Sequence, residues 1–458
     1  MNLYAMLKAR AERGMPLRVG LIGAGKFGTM FLSQALHTHG LHVLAIADLD
    51  VERARRQMTT TGWESEQFSA TSPAKALSEG STYITDDADE VINAGGIEVI
   101  IEATGVPEVG IVHALKCFQR GRHVIMVNVE ADALAGPLLA RHAAQADVIY
   151  SMAYGDQPAL IAEQVDWARA CGFQVISAGK GTKYLPAYHA STPETVWDHY
   201  GLTPKQAEAA GMNAKMFNSF LDGTKSGIEM VAVANATGLT PAPGGLSFPA
   251  CNVDEIASTL IPSADGGTLH HKGQVEVISS CYDDGSDVPR DLRWGVYVTF
   301  EAPSDYVQRC FSDYGMLTDP SGRYSALWRP YHLIGLELGI SPAWAALNNQ
   351  PTGAPTGFRA DVVATAKSDL KAGEMLDGEG GYSVWGRLMS AEESLTAGAL
   401  PIGLAHGVSL KNPVKQGQVV TWADVDMTDT KQQSIGYRVR REMEAAFGGG
   451  KSNLNAVE

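Results

Sequence analysis

Between Leu17 and about Tyr150 the chain alternates short apolar runs with stretches of helical spacing. RVGLIG, HVLAIAD, IEVIIEAT, RHVIMV and DVIYSMAY are short runs, mostly rich in Val and Ile, and read as buried strands. FGTMFLSQALHTHG, VERARRQMTTTG, EVGIVHALKCFQRG and AGPLLARHAAQA place apolar residues three and four apart and read as helices, several stopped by glycine. Strand–helix alternation predicts an α/β fold: a Rossmann-type, doubly wound parallel sheet over residues 1–154. From Gly155 to Asn349 the text is irregular, broken by Gly244-Gly245 and Gly266-Gly267, with strand-like GQVEVISS and RWGVYVTFEA. That pattern predicts an α+β catalytic domain, 155–349, with a mixed or antiparallel sheet. Its last run, His332 to Leu347, has helical spacing and is expected to pack back on the first domain. The Pro/Gly-rich joint Gln350 to Phe358 separates a small segment of short strands and turns, 359–435. A short helix and tail, 436–458, end the chain.

A chain of 458 residues exceeds one hydrophobic core, so two or three domains are required. The net charge of −15 speaks against a nucleic-acid surface, which gathers Lys and Arg on one face. An anionic substrate must therefore meet a local positive pocket. No run approaches the roughly 20 apolar residues of a membrane helix. The N-terminus lacks the uninterrupted apolar core of a secretory signal, which predicts a cytoplasmic protein without membrane partners. The cysteines are five and far apart, with no Cys-x-x-Cys pair, and read as reduced core residues.

The candidate chemistry begins at Gly23-Ala24-Gly25-Lys26-Phe27-Gly28, between a strand and a helix. Here Gly23 allows the tight turn, Gly25 lets a pyrophosphate approach the backbone, and Gly28 lets helix pack on strand. A ligand-free glycine turn is the plainer alternative. Asp48, at the end of the second strand, stands where an acid bonds the adenosine ribose of NAD. Arg53, Arg55 and Arg56 nearby suit the 2′-phosphate of NADP, so the residues leave NADH against NADPH open. Ala103, Thr104 and Gly105, and Asn128 and Glu130, close two further strands on the rim where ligands sit in such sheets. Asp156 follows the last strand, either capping a helix or at the mouth of the cofactor cleft.

Lys180 and Lys183 flank Gly181-Thr182 on what reads as a turn, suited to phosphate or carboxylate. Arg323 and Arg329, with Tyr324, supply planar donors; surface lysines and salt-bridged arginines are the commoner meaning of such residues. Lys225 and Glu229 share one helix face, and the following MVAVANATG is nearly uniformly apolar. A charged pair opening a buried helix points to a cleft more than to bulk water.

VGLIGAGKFG, IEATGVPE, HVIMVNVEADAL, SAGKGTKYLP and DGTKSGIEMVAVANATGL together resemble, in order, the landmarks of homoserine dehydrogenase-like proteins. AKSDLKAGEMLD, ALPIGLAHGVSLKNPVKQGQVV and TWADVDM resemble a SAF domain, a β-clip module. The combination resembles the 1-deoxy-D-xylulose 5-phosphate reductoisomerase-like (DRL) enzymes. Two departures separate the chain from homoserine dehydrogenases: the turn after HVIMV has no lysine, and Lys225 and Glu229 exchange the charges of the family's Asp and Lys. The resemblance implies NADPH-dependent conversion of 1-deoxy-D-xylulose 5-phosphate to 2-C-methyl-D-erythritol 4-phosphate. It implies Glu229 as base, Lys225 and Lys183 as electrophilic cations, and Lys180, Arg323 and Arg329 as phosphate clamp. A divalent cation such as magnesium is compatible with that chemistry, with no ligand set readable, and a homo-oligomer is expected. A different dehydrogenase acting on a small hydroxy acid or sugar phosphate, and a nucleotide-sensing protein without activity, are the alternatives.

Overall fold

The computed structural model describes residues 2–448, so the expected tail beyond Gly448 lies outside the described residues. The chain forms two compact units, 1–160 with 332–355, and 161–331 with 356–458.

The first unit carries a six-stranded sheet of β1 (Leu17–Ile22), β2 (Leu41–Ala47), β3 (Tyr83–Thr85), β4 (Val99–Glu102), β5 (His123–Met126) and β6 (Tyr150–Met152). The spatial order is β3-β2-β1-β4-β5-β6 and every pair is parallel. This is the doubly wound α/β arrangement, and it leaves the carboxyl ends of β1, β2, β4 and β5 on one rim. β3 has only three residues, too few to show a period, so the pattern of apolar positions gave no sign of it. Leu17, Val19, Leu21, Ile46, Ile101 and Ile125 bury the sheet under Phe31, Leu338 and Ala343. The returning helix Ile340–Asn348 packs on β1, β4, β5 and β6. Its Ser341 hydroxyl accepts the Tyr154 N–H at 2.7 Å, and Met152 N–H donates to the Gly353 carbonyl at 2.8 Å.

Behind β6, Tyr150 O–H donates to Asp132 Oδ1 at 2.8 Å, and both side chains are buried. Burial pushes the Asp132 carboxyl up to about 6, against the opposing Tyr150 hydrogen bond. The folded state therefore holds the proton more tightly than the unfolded chain, so its stabilising contribution is complete below about pH 4 and lost as pH rises through about 6. Asp132→Asn keeps the acceptor and removes the titration. It should gain on the wild type by about 3 kcal/mol between pH 4 and 7.5 in urea denaturation, and a pH-independent gap would refute the account.

The second unit holds a four-stranded mixed sheet of β7 (Gln174–Thr182), β8 (Gln274–Ser279), β9 (Val296–Glu301) and β10 (Tyr324–Arg329), ordered β10-β9-β7-β8. β7 and β8 are parallel and the other pairs antiparallel. β7 runs on through Lys180, Gly181 and Thr182, where the sequence suggested a turn. Side chains at Gly179 and Gly181 would overlap the carbonyls of Glu276 and Leu292, so glycine here serves close packing of neighbouring backbone. The helix Thr224–Thr237 opens after Gly223, at φ 90°, and is buried along almost its whole length.

That helix is covered by β11 (Ala360–Ala366) and β13 (Val384–Ser390), an antiparallel pair. β12 (Met375–Asp377), β14 (His406–Leu410) and β15 (Val425–Asp426) form a second small antiparallel sheet. The expected separate body at 359–435 instead belongs to the unit of the buried helix. The physical reason is a set of polar ties. Asn235 Oδ1 accepts the N–H groups of Arg359 and Ala360 at 2.7 and 3.1 Å, and Thr224 Oγ1 accepts that of Gly386 at 2.8 Å. Lys367 lies 2.7 Å from the buried Asp222 carboxylate.

Among the described residues no helix is long and apolar enough to cross a membrane. Cys117, Cys251 and Cys281 are buried, as expected, but Cys171 is exposed and Cys310 half-buried. Burial pushes the Cys117 and Cys251 thiols up to about 12, which keeps them inert.

Candidate functional site

The glycine turn assigns one task to each of its three glycines. Gly23 has φ 98°, and a Cβ there would lie 2.6 Å from the Ala103 carbonyl oxygen. A Cβ at Gly28 would overlap the Gly23 carbonyl. At Gly25, the N-cap of the helix Lys26–Ala35, a Cβ meets no protein atom within 4 Å. The first two glycines thus serve packing, and the third keeps backbone open where a helix N-terminus, uncapped by any side chain, faces outward. That arrangement fits a pyrophosphate. Phe27 packs partly into the core and Lys26 is exposed. Gly25→Val should leave the fold intact, because nothing obstructs the side chain, and abolish dinucleotide binding; calorimetry showing normal affinity in the folded variant would refute the assignment.

Asp48 is buried, and its carboxylate is already engaged by three donors. Oδ2 accepts the Ala24 N–H at 2.8 Å; Oδ1 accepts the Asp50 N–H at 2.9 Å and Arg53 Nη2 at 2.6 Å. On the rim, Glu102 is fully buried and accepts the Thr104 hydroxyl at 2.5 Å, with His113 Nδ1 at 3.3 Å. The turn Ala103–Gly105 is therefore anchored, and Gly105 adopts φ 70°. Asn128 caps the helix Val129–Gln145 through the Ala131 N–H at 3.2 Å, and Glu130, itself half-buried, follows in its first turn. Asp156 is buried, and its Oδ1 accepts the N–H of the adjacent Gln157 at 2.9 Å.

In the second unit the dominant feature is a buried ion pair between Lys180 and Glu229, whose side chains are 7% and 5% exposed. β7 supplies the lysine and the buried helix the carboxylate. This revises the expected roles: Glu229 pairs with Lys180, which was assigned to a clamp, and Lys225 sits half-buried one turn earlier on the helix. A charged pair held out of water is the environment in which protons are moved between protein and substrate.

Two expected partners do not join it. Lys183 Nζ donates to the His199 carbonyl at 2.7 Å and lies over the Tyr200 ring, so it is used in holding the chain after β7. Arg323 pairs with Glu301 and lies 5.5 Å from the ring of Tyr324, whose hydroxyl donates to Asp265 at 2.9 Å. The register places Tyr324 opposite Glu301 and Gln174, but Arg329 opposite Val296 and Lys180. Arg323 and Tyr324 therefore sit at the far end of the sheet from Lys180, about 20 Å along the strands. A single clamp of Lys180, Arg323 and Arg329 is excluded; Arg329 alone shares the Lys180 end.

A group not read from the sequence lies at the start of the buried helix. The Asp222 carbonyl is 2.7 Å from His189 Nδ1, which must donate, so Nε2 accepts the Tyr184 hydroxyl at 2.9 Å. Burial, opposed by the Asp222 bond and reinforced by Lys367 and Arg387, holds this imidazole below its ordinary pKa. Trp385 stacks on His189 at 3.8 Å, and Phe248 on Tyr184 at 3.8 Å. Only the fold brings residues 184, 189, 248 and 385 together. Among the described residues no group of three or more His, Cys, Asp or Glu side chains is placed to hold a metal.

Residues 155–338 match the family described as oxidoreductase DRL, catalytic domain, and residues 17–127 the oxidoreductase family with an NAD-binding Rossmann fold. Both matches are to oxidoreductase families, the second with an NAD-binding Rossmann fold. No curated protein matches it. Among solved structures it is similar to myo-inositol dehydrogenase from Lactobacillus casei in complex with NAD(H) and myo-inositol, at 14% identity over 40% of this chain and 50% of that one, TM-score 0.28. It is also similar to an oxidoreductase from Agrobacterium radiobacter in complex with NAD+, L-tartaric acid and magnesium, at 17% identity over 36% and 44%, TM-score 0.27. A homoserine dehydrogenase from Thiobacillus denitrificans shows 18% identity over 49% of each chain, TM-score 0.34. The chain thus spans half or less of the length of these structures.

Proposed function

We propose that the protein is an NADPH-dependent reductoisomerase that converts 1-deoxy-D-xylulose 5-phosphate to 2-C-methyl-D-erythritol 4-phosphate. The observation that carries the reading is the buried Lys180–Glu229 pair within the segment that matches the DRL catalytic domain. Glu229 takes the substrate hydroxyl proton that starts the carbon-skeleton rearrangement. Lys180, held against it, stabilises the oxygen left negative, and Lys225 adds positive charge one helical turn away. NADPH, when bound, supplies the hydride that reduces the aldehyde formed. The open backbone at Gly25 would receive its pyrophosphate, with Gly23 and Gly28 letting the turn and helix pack closely behind it, and the Ala103–Gly105 turn would take its ribose. The C-terminal β segment, which resembles a SAF domain, covers the catalytic helix through Val362 and Gly386, while Trp385 and Lys367 meet His189 and Asp222 ahead of it. The protein works as a homo-oligomer in the cytoplasm.

The test is NADPH oxidation by purified protein with 1-deoxy-D-xylulose 5-phosphate, with and without magnesium, with product identified by mass spectrometry. Formation of the methylerythritol phosphate supports the reading. No turnover of this substrate, with oxidation of a hydroxy acid or sugar phosphate by NAD(P)+, would replace it with the dehydrogenase alternative.

A further inference from the structure

Two recesses meet in the C-terminal part of the second unit, and neither is lined by Lys180 or Glu229. The larger, of about 610 Å³, lies between the helices Ala391–Ala397 and Ile435–Gly448. Its walls are mainly small or apolar side chains, among them Leu395, Ala397, Ala399, Ala423 and Ala445. The smaller, of about 280 Å³, is lined by Lys411, Asp426, Gln432 and Tyr437. Trp422 and Arg441 line both, and so stand where the two join. The Arg441 guanidinium lies 5.1 Å from the centre of the Trp422 ring, and Tyr437 meets that ring edge to face at 5.6 Å.

Charge divides the two recesses. Arg441 spends one N–H, on Nη1, in its contact with Glu444, and its remaining donors sit on a half-exposed side chain. Lys411 Nζ has Asp426 at 3.9 Å, beyond hydrogen-bond distance, with both side chains exposed. The small recess therefore sets two cations with unspent donors against one loosely matched carboxylate, beside a larger recess of apolar wall.

We propose that the joined recesses bind an amphipathic anion, a phosphate monoester of a short hydrocarbon chain, with the phosphate on Lys411 and Arg441 and the chain along Leu395, Ala399 and Ala445. Two cations match the nearly double charge and three acceptor oxygens of a phosphate monoester. Stacking on Trp422 presets the guanidinium plane, so little freedom is lost when the phosphate arrives. The larger recess falls within the range of volumes that small-molecule sites occupy. The helix that carries Arg441 also carries Arg440, which is buried against Asp361 of β11, and β11 packs on the helix of Glu229. A ligand held by Arg441 thus braces the strand that covers that helix. The proposal does not depend on the reaction assigned to Lys180 and Glu229.

Calorimetry on the full-length protein with hexyl phosphate, inorganic phosphate, hexanol and hexanoate tests it. Hexyl phosphate should bind at least about 10-fold more tightly than any of the others, since each lacks either the chain or the charge. From butyl to hexyl phosphate each added methylene should tighten binding by up to about fourfold. Lys411→Ala and Arg441→Ala should each weaken hexyl phosphate roughly 10–100-fold, the range of a hydrogen bond to a charged group. Ala445→Phe, on an exposed helix position, should fill the large recess and remove the dependence on chain length while leaving inorganic phosphate unchanged. If Arg441→Ala folds poorly for want of its contacts to Glu444 and Trp422, Lys411→Ala still decides. No binding of hexyl phosphate, binding unchanged in Lys411→Ala, or affinity independent of chain length would overturn the proposal. Hexanoate bound as tightly as hexyl phosphate would overturn the choice of phosphate. Co-sedimentation with phosphatidate vesicles separates a membrane surface from a small-ligand site: attachment to vesicles without binding of hexyl phosphate overturns the latter.

Discussion

Glu229→Gln is expected to lower turnover about 10²–10⁴-fold, the usual worth of a positioned base, with dinucleotide affinity nearly unchanged. Because the carboxylate is paired with buried Lys180, the same change leaves an ammonium without its counter-charge. A stability loss of roughly 3–5 kcal/mol should accompany the loss of turnover. Lys180→Met should do comparable damage to both. The double variant separates the two effects. With neither charge present, stability should return towards the wild type, while turnover should stay as low as in the single variants, since groups acting as a unit are not additive. If the pair were only a brace for the helix, the double variant would recover activity with stability. Lys225→Met supplies the comparison: its coupling to Glu229 in a double-mutant cycle should be smaller than that of Lys180, and the reverse would restore Lys225 as the partner. Melting temperature and kcat measured on one set of variants decide the matter.

The first unit was legible because its information is local. Each strand is a run of apolar residues, and the glycine turn carries its function within six residues. What escaped was short: β3, three residues long, and the helices Pro73–Glu79 and Ala88–Asn93. In the second unit chemistry is assembled from distant positions, and there sequence spacing misleads. Lys225 and Glu229 are one turn apart on one helix and invite pairing. Lys180 is 49 residues from Glu229, yet the path of β7 past that helix makes it the partner. Arg323 and Arg329 look like one basic cluster, but a strand of six residues puts them at opposite ends of a sheet. His189 and Trp385 stack across nearly two hundred residues, a relation no periodicity contains. Asp48 illustrates a third limit: its position suggested a ribose acceptor, and only the count of donors around it shows where its lone pairs go.

The C-terminal segment should prove inseparable from the catalytic unit, and Arg440→Met is the sharpest test. Arg440, on the helix Ile435–Gly448, is fully buried and forks onto the equally buried Asp361 of β11. Nη1 donates to Asp361 Oδ1 at 3.1 Å, Nη2 to Oδ2, and Nε to Glu444 at 2.8 Å, while the guanidinium lies 5.2 Å from the Phe358 ring. The Ser394 hydroxyl also donates to Asp361, at 2.5 Å. Methionine retains most of the aliphatic stem, so the chief loss is charge, and Asp361 is left buried without its cation. That should cost roughly 3–5 kcal/mol. Asp361→Asn in the same chain neutralises the orphan and keeps an acceptor for the N–H of Val362, which lies 2.9 Å away. The double variant should therefore recover much of the loss. Equal instability of single and double variants would mean that packing around Phe358, and not charge, ties the helix down; a single variant within about 0.5 kcal/mol of wild type would mean no tie at all. Since β11 also covers the helix that carries Glu229, removing the chain after Phe358 exposes that helix along one apolar face, and the truncated protein is expected to be recovered only as aggregate.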